Sequence, residues 1–119
     1  MLNKVVLMGR LVRDPELRYS NGGDPFSIFT LAVERNFTNK EGERETDFID
    51  VVVWNTLAEN CSQYLEKGKR AIVEGRIQIR KNEKEEQTYI NTEVVANNVQ
   101  FIDWADNTRD EVDSQTAVS

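Results

Sequence analysis

The side chains that most often perform catalysis are largely missing from this sequence of 119 residues. Histidine is absent, which excludes Ser-His-Asp and Cys-His arrangements and every His-ligated metal site. The sequence also offers no paired carboxylates at a helix or strand spacing and no Gly-rich phosphate loop that would make a reaction centre. We therefore predict a binding protein, not an enzyme, that uses no cofactor and no metal.

The aromatic and cationic side chains allow a different chemistry. Aromatic faces stack on nucleobases, which contributes about 1–3 kcal/mol per base and tolerates any base sequence, while cations follow the phosphates of a single strand. Phe48 and Trp54 share one face of a predicted strand, and Phe37 opens the polar loop after the preceding strand. The pattern adds Arg35, Lys40, Arg76, Arg80, Lys81 and Tyr89 as candidate neighbours of these aromatics.

Each of these candidates also has an ordinary structural explanation. A strand phenylalanine such as Phe48 is often a core residue, and Trp54 fits core packing or a subunit interface. The cations of the fourth predicted strand fit a solvated face, with Glu74 as a partner for its neighbours. Phe37, in a polar loop, is the hardest to explain by core packing. It is the convergence of these residues that favours a nucleic-acid interface.

Taken for the whole chain, the net charge of −6 and the isoelectric point of about 4.7 argue against a nucleic-acid partner. The charge is unevenly distributed, because residues 103–119 contain only Arg109 against five acidic residues, a net charge of −4. Residues 1–102 contain 14 Lys+Arg and 16 Asp+Glu, so this part of the chain is close to neutral. We therefore predict a folded domain over 1–102 followed by a short, acidic, disordered tail over 103–119.

The compartment follows from the cysteine count and from hydropathy. Cys61 is the only cysteine, so no internal disulfide or thiolate zinc cluster can form, and a reducing cytoplasm is expected. No run approaches the ~18 apolar residues that a membrane span needs, and the N-terminus lacks a signal-peptide layout. The expected environment is the bacterial cytoplasm or nucleoid, or the host cytoplasm for a phage-encoded protein, with no membrane partner.

Five strands and one helix must position these residues. Hydrophobic alternation and turn signals predict strands over residues 2–13, 26–35, 46–54, 69–81 and 88–102, with loops at 37–45 and 82–87. A helix follows the third strand, because Thr56 and Glu59 fit a capping box and an apolar stripe that includes Cys61 repeats behind them. Gly68 fits the left-handed cap position at the end of this helix.

This order of elements predicts an all-β protein with one helix. Five strands with a helix between strands 3 and 4 are typical of the OB-fold, a partly open five-stranded barrel. An SH3-like barrel has a similar number of strands, but a capped helix of three turns at this place favours the OB-fold.

Several segments resemble the bacterial-type single-stranded DNA-binding proteins over residues 1–102. The resemblance rests on NKVVLMGRLVRDPELRYSNGG, FTLAVERNF, TDFIDVVVWNTLAENCSQYLEKGK, VEGRIQIRK and TEVVANNVQF. It implies an OB-fold homotetramer that wraps single-stranded DNA without sequence preference and protects it during replication, recombination and repair. The family's stacking aromatics correspond to Phe37, Phe48 and Trp54, and its basic contacts to Lys4, Arg35, Lys40, Lys67, Arg80 and Lys81. Their placement in the sequence adds Arg10 and Arg76 to the basic set.

Two departures from the family pattern favour a phage, plasmid or accessory member. Asn82 stands where many members carry a fourth stacking aromatic, so that contact is absent or moves to Tyr89. The acidic tail contains no proline and ends Thr-Ala-Val-Ser, whereas many members end in Pro-Phe and dock partners there. Replication or recombination proteins remain candidate partners, but docking through the tail tip is not expected.

Other classes of function stay open from the residues alone. A protein-interaction OB module would pack Phe48 and Trp54 against a partner subunit instead of DNA. An RNA-binding module is a further alternative, because stacking does not distinguish RNA from DNA.

Overall fold

A computed structural model describes residues 1–102 of the chain, and the predicted acidic tail lies outside these residues. In chain order the elements are β1 (Val5–Leu11), β2 (Glu16–Tyr19), β3 (Pro25–Thr38), β4 (Arg44–Trp54), α1 (Asn55–Tyr64), β5 (Arg70–Lys84) and β6 (Gln87–Phe101). The five predicted strands correspond to β1, β3, β4, β5 and β6. The short strand β2 was not predicted, because Asp14-Pro15 and the turn-forming residues of 20–25 flank only four strand residues.

Five of the strands close into a barrel. The sheet order is β1-β5-β6-β4-β3-β2, and an additional pairing of β1 with β3 joins the two ends of the barrel. The β4–β6 pairing is parallel and all other pairings are antiparallel. With α1 between β4 and β5, which are the third and fourth predicted strands, this topology confirms the predicted OB-fold.

The barrel interior is filled by alternate residues of each strand. Phe29 and Leu31 of β3 and Val51 and Val53 of β4 are fully buried, as period-2 alternation predicts. Ala58, Cys61 and Leu65 pack against the same core from α1 and its C-terminal end.

Gly9 marks a close approach of two backbones. A Cβ atom at Gly9 would lie 2.4 Å from the carbonyl oxygen of Ala32, where β1 reaches β3. A glycine inside a strand often marks a bulge, but the register of β1 with β5 runs through Gly9 without a shift. The missing side chain instead lets β1 and β3 meet and close the barrel.

The helix begins and ends differently from the prediction. α1 follows β4 directly, with Trp54 in extended conformation at the N-cap and no side-chain capping bond, so the predicted capping box of Thr56 and Glu59 is wrong. Asn55 has φ 60°, which makes the sharp change from strand to helix and is a conformation that asparagine tolerates. The helix ends at Tyr64, and Gly68, although its φ is +90°, lies in the turn before β5.

Both long hairpins have shorter turns than the sequence predicts. β3 and β4 extend to Thr38 and Arg44, and β5 and β6 continue to Lys84 and Gln87. The second turn therefore consists of Glu85 and Glu86 alone, at φ 54° and 66°. Such a two-residue turn usually contains Asn-Gly or Asp-Gly, and the absence of that signal explains why the loop was predicted to be longer.

Within residues 1–102, the structure has no helix long and apolar enough to cross a membrane.

Candidate nucleic-acid interface

The face of the sheet that points away from the core, here called the outer face, is set by strand register. Phe26, Ile28, Thr30 and Ala32 of β3 lie opposite Trp54, Val52, Asp50 and Phe48 of β4, and each opposed pair shares this face. The parallel pairing of β4 with β6 adds Glu93 beside Asp50, and the β5–β6 ladder adds Arg76, Gln78 and Arg80.

The predicted aromatics Phe48 and Trp54 both lie on the outer face. Phe48 is 67% exposed, although it sits in the middle of a central strand. Trp54 is half-buried and packs against Phe26, with ring centroids 5.0 Å apart and an interplanar angle of 33°. Core burial therefore does not account for Phe48, and Phe26 supports the indole ring of Trp54 from one side.

Trp54 and Arg80 line one open cleft, which we call the tryptophan cleft. Its volume is about 560 Å³, and its walls come from the β2–β3 turn and the β5–β6 hairpin. Tyr19 and Asn21 contribute from the first of these, and Asn82 and Asn91 from the second. The cleft thus combines an aromatic surface, a guanidinium group and neutral amides, which together suit the base, phosphate and base edge of a nucleotide.

Glu93 anchors the cations at this cleft. Arg80 Nε donates to Glu93 Oε1 at 2.6 Å, and Gln78 Nε2 donates to the same oxygen at 3.2 Å. Arg76 Nη1 in turn donates to Gln78 Oε1 at 3.1 Å. Because the Glu93 side chain is only 13% exposed, this network fixes two of the predicted cations on the outer face.

Asp50 is the second carboxylate of the outer face, and it also has a fixed partner. The hydroxyl of Thr30 donates to Asp50 Oδ1 at 2.9 Å and accepts from Arg13 Nη2 at 3.3 Å. The two carboxylates at the centre of this face therefore hold neighbouring side chains in place.

Phe37 lies in β3 and not in the predicted loop, and Arg35, the last residue of the predicted strand, precedes it in β3. Phe37 is 67% exposed, next to a register shift between Glu34 and Thr38. Arg35 makes two hydrogen bonds to Asp47, at 3.1 and 3.0 Å, and an ion pair to Glu45 at 3.4 Å. The Arg35 hydrogen bond lowers the pKa of Asp47, and Asp47 raises the pKa of Arg35. The guanidinium of Arg35 is thus occupied by carboxylates, unlike the exposed ring of Phe37.

The remaining predicted cations do not gather at one place. Lys4 forms an ion pair with Glu74 at 2.6 Å, which lowers the pKa of that carboxyl. Lys40 is exposed in the β3–β4 turn, and Lys67 is exposed between α1 and β5, where its backbone N–H donates to Asp14. Lys81 opposes Ile90 on the other face of the β5–β6 hairpin from Arg80.

Tyr89 and Arg10 occupy two further positions. Tyr89 lies in β6 directly opposite Asn82, and its hydroxyl donates to Gln87 at 2.9 Å. Its ring extends the outer face beyond the tryptophan cleft. Arg10 Nη1 donates to the Gly68 carbonyl at 3.0 Å, and this side chain lines a second groove at the junction of β1 and β3.

Sequence reasoning missed several residues of the outer face. Phe26 alternates with Ile28 in the sequence, and this period could have placed it beside Trp54. Glu93, Asn91 and Asn21 carried no such signal, because the contacts that bring them to the cleft join distant strands and turns. Arg44 and Arg70, which line the groove with Arg10, look like ordinary strand-end cations in the sequence.

Cys61 contributes no reactive group. Its side chain is fully buried, and burial raises the pKa of the thiol to about 12. The described residues also contain no cluster of three or more His, Cys, Asp or Glu side chains that could hold a metal ion.

Comparisons with known proteins identify the family of this chain. The Single-strand binding protein family matches residues 2–102. A single-stranded DNA-binding protein of Halalkalibacterium halodurans is 55% identical over 104 residues, covering 87% of this chain and 62% of the relative. Single-stranded DNA-binding protein A of Bacillus subtilis is 53% identical over 104 residues, again covering 87% of this chain and 60% of the relative. This chain therefore spans about three-fifths of the length of these relatives.

A solved structure shares the fold. The structure described as the Plasmodium falciparum SSB complex with ssDNA matches with a TM-score of 0.77 and 30% identity, covering 87% of this chain and 96% of that one. The match of the family model to nearly all of the described residues, together with the close relatives and the shared fold, places this chain in the Single-strand binding protein family.

Proposed function

We propose that this protein binds single-stranded DNA without sequence preference, by stacking bases on the outer face and pairing phosphates with its cations. The observation that carries the proposal is the 67% exposure of Phe48 on the same face as Trp54 and Arg80. An exposed aromatic in a central strand, on the same face as a cleft with a fixed guanidinium group, is what a stacking platform requires. Family membership supports a role in covering single strands during replication, recombination and repair.

The residues proposed to contact DNA differ in how strongly the structure supports each contact. The aromatic surface comes from Trp54, Phe48, Phe37 and Tyr89. The guanidinium groups of Arg76 and Arg80 are held in place by the hydrogen-bond network of Glu93. Arg10, Lys4, Lys40, Lys67 and Lys81 are secondary phosphate contacts in this proposal. Arg35 is the weakest of the predicted contacts, because Asp47 and Glu45 already neutralise it.

We further propose that the protein assembles as a homotetramer. β1 pairs with β5 along Val5–Arg10 but with β3 only at Arg10 and Leu11, so within residues 1–102 the other edge of Val5–Gly9 carries no strand. Val6 and Met8 are 61% and 57% exposed beside this edge. An unpaired edge with apolar neighbours favours pairing with another copy of the chain. The reducing cytoplasm stays a prediction from the single cysteine.

A mobility-shift series tests the proposed binding. The protein is titrated with oligo-dT, oligo-dA, oligo-rU and a DNA duplex of equal length at low salt, and the mass of each complex is measured in solution. We expect binding of both DNA single strands, weak binding of the duplex and a mass that corresponds to four chains. Exclusive binding of RNA, or equal affinity for the duplex, would contradict the proposed function, and a monomeric mass would contradict the tetramer.

A further inference from the structure

An acidic side chain, Asp50, lies between the two aromatics of β4 on a face that we propose binds a polyanion. Alternation along the strand brings the side chains of Phe48, Asp50 and Trp54 to the outer face. At about 3.3 Å per residue, Asp50 is about 7 Å from Phe48 and about 13 Å from Trp54 along the strand. A DNA strand whose bases stack on both rings therefore passes over Asp50.

The neighbours of Asp50 leave it as the exposed polar group at the centre of the outer face. Thr30, opposite it in β3, is 7% exposed, and the side chain of Glu93, opposite it in β6, is 13% exposed. Glu93 Oε1 already accepts hydrogen bonds from Arg80 and Gln78. Asp50 itself is exposed to solvent. A ligand that crosses the middle of this face therefore contacts the Asp50 carboxylate.

The two oxygens of this carboxylate have different surroundings. Oδ1 accepts a hydrogen bond from the Thr30 hydroxyl at 2.9 Å, and that hydroxyl accepts one from Arg13 Nη2 at 3.3 Å. Within residues 1–102, the structure shows no hydrogen bond from a protein donor to Oδ2 of Asp50. Because the Thr30 contact restricts rotation of the carboxylate, Oδ2 is an acceptor at a defined position on the outer face.

Such an acceptor distinguishes between the parts of a nucleotide. An ionised carboxylate has no hydrogen to donate, so it repels phosphate oxygens and attracts N–H groups. The amino groups of cytosine N4 and adenine N6 are suitable donors, and carboxylates accept from cytosine N4 in other protein–DNA contacts. Thymine and uracil carry a carbonyl oxygen, O4, in place of the cytosine amino group. The exposed oxygen of Asp50 therefore suits the edge of an amino-bearing base and not the phosphate backbone.

We propose that Asp50 Oδ2 accepts a hydrogen bond from the exocyclic amino group of a base that lies between those stacked on Phe48 and Trp54. Asp50 is thus a specificity-determining residue, which favours cytosine or adenine over thymine or uracil at one position of the DNA path. The inference rests on the proposed function. Because every base can stack on the two rings, the preference is several-fold and the other bases still bind.

The test compares the full-length protein with Asp50→Asn in anisotropy titrations of labelled oligo-dC and oligo-dU of equal length at neutral pH. The two bases differ at C4, which carries an amino group in cytosine and a carbonyl oxygen in uracil, and neither has the methyl group of thymine. Asparagine keeps the shape of the side chain and an acceptor for Thr30, but it replaces the second oxygen by a donor. We expect the ratio of oligo-dC affinity to oligo-dU affinity to fall about two- to tenfold, the equivalent of one net hydrogen bond.

Two further variants support the measurement. Glu59→Gln is the matched control, because Glu59 is an exposed carboxylate on α1 and not on the outer face, so its affinity ratio should equal that of the wild type. Asp50→Ala removes the acceptor without adding a donor, and its ratio should also fall. The alanine variant keeps the test informative if Asp50→Asn folds poorly in thermal melts.

The possible results separate this inference from the proposed function. Loss of the charge should raise the affinity for both oligonucleotides, but a rise that is equal for both would reduce Asp50 to a repulsive charge and overturn the inference. Unchanged affinities for both in Asp50→Asn and Asp50→Ala would place the DNA path away from Asp50 and also overturn it. In either case the proposed function stays intact. Failure of the wild type to bind either oligonucleotide would instead overturn the proposed function.

Discussion

Phe48 allows the contribution of stacking to be measured apart from folding. Its ring is 67% exposed and is not part of the core cluster, so Phe48→Ala should leave the free energy of unfolding nearly unchanged. A base stacked on an aromatic ring contributes about 1–3 kcal/mol, which corresponds to a roughly 5- to 150-fold rise in Kd when the ring is removed. No charge is lost, so the slope of log K against log salt should stay that of the wild type.

The assay is fluorescence anisotropy of a labelled oligo-dT at several salt concentrations, with thermal melts of each variant. Phe48→Leu keeps an apolar side chain but removes the π-face, so it should lose nearly as much affinity as Phe48→Ala. Tyr64→Ala is the matched control, because Tyr64 is an aromatic with 60% exposure that lies on α1 and not on the outer face. Full affinity in Phe48→Leu, or an equal loss in Tyr64→Ala, would refute stacking at Phe48.

Three further predictions concern the fold. Gly9→Ala should reduce the free energy of unfolding by about 1–3 kcal/mol in chemical denaturation, because its Cβ would clash with a backbone carbonyl at 2.4 Å; wild-type stability would contradict the close approach. The Cys61 thiol should resist iodoacetamide in the native state but react in denaturant. Rapid labelling of the native protein would contradict the burial of Cys61. Since the pKa of this thiol rises from 9.0 to about 12 on folding, the free energy of unfolding should also fall as the pH increases through this range. Replacing Glu85 and Glu86 by Asn and Gly should stabilise the hairpin by about 1 kcal/mol, seen as a higher melting temperature, and a lower one would contradict the left-handed turn.

Much of the barrel could be predicted because alternation in the sequence reports burial directly. The period of two in β4 separated Val51 and Val53 from Phe48, and the structure places these residues on the buried and exposed sides as expected. The ends of the elements were harder to predict. The Thr56 capping box failed because β4 enters α1 without a loop, and hairpin pairing continued through charged residues that resemble a loop.

Site residues could be predicted where residue type and strand face identify them. They could not be predicted where pairing between distant strands brings them to the site. Trp54 and Arg80 were chosen from residue type and strand face, and the structure places both in one cleft. The role of Glu93 depends on the register of β6 with β5, and the groove that Arg10 lines depends on the pairing of β1 with β3 that closes the barrel. Neither register can be read from local sequence, because each joins residues that are far apart in the chain.

The most direct test of the account is the fluorescence of Trp54 during DNA binding. The chain has two tryptophans, so Trp104→Phe leaves Trp54 as the only one. Titrating this variant with oligo-dT at low salt should quench the fluorescence saturably, because a base stacks in the tryptophan cleft, and added salt should reverse the quenching. Unchanged fluorescence together with no mobility shift of oligo-dT at low salt would contradict the proposal that this protein binds single-stranded DNA through its outer face.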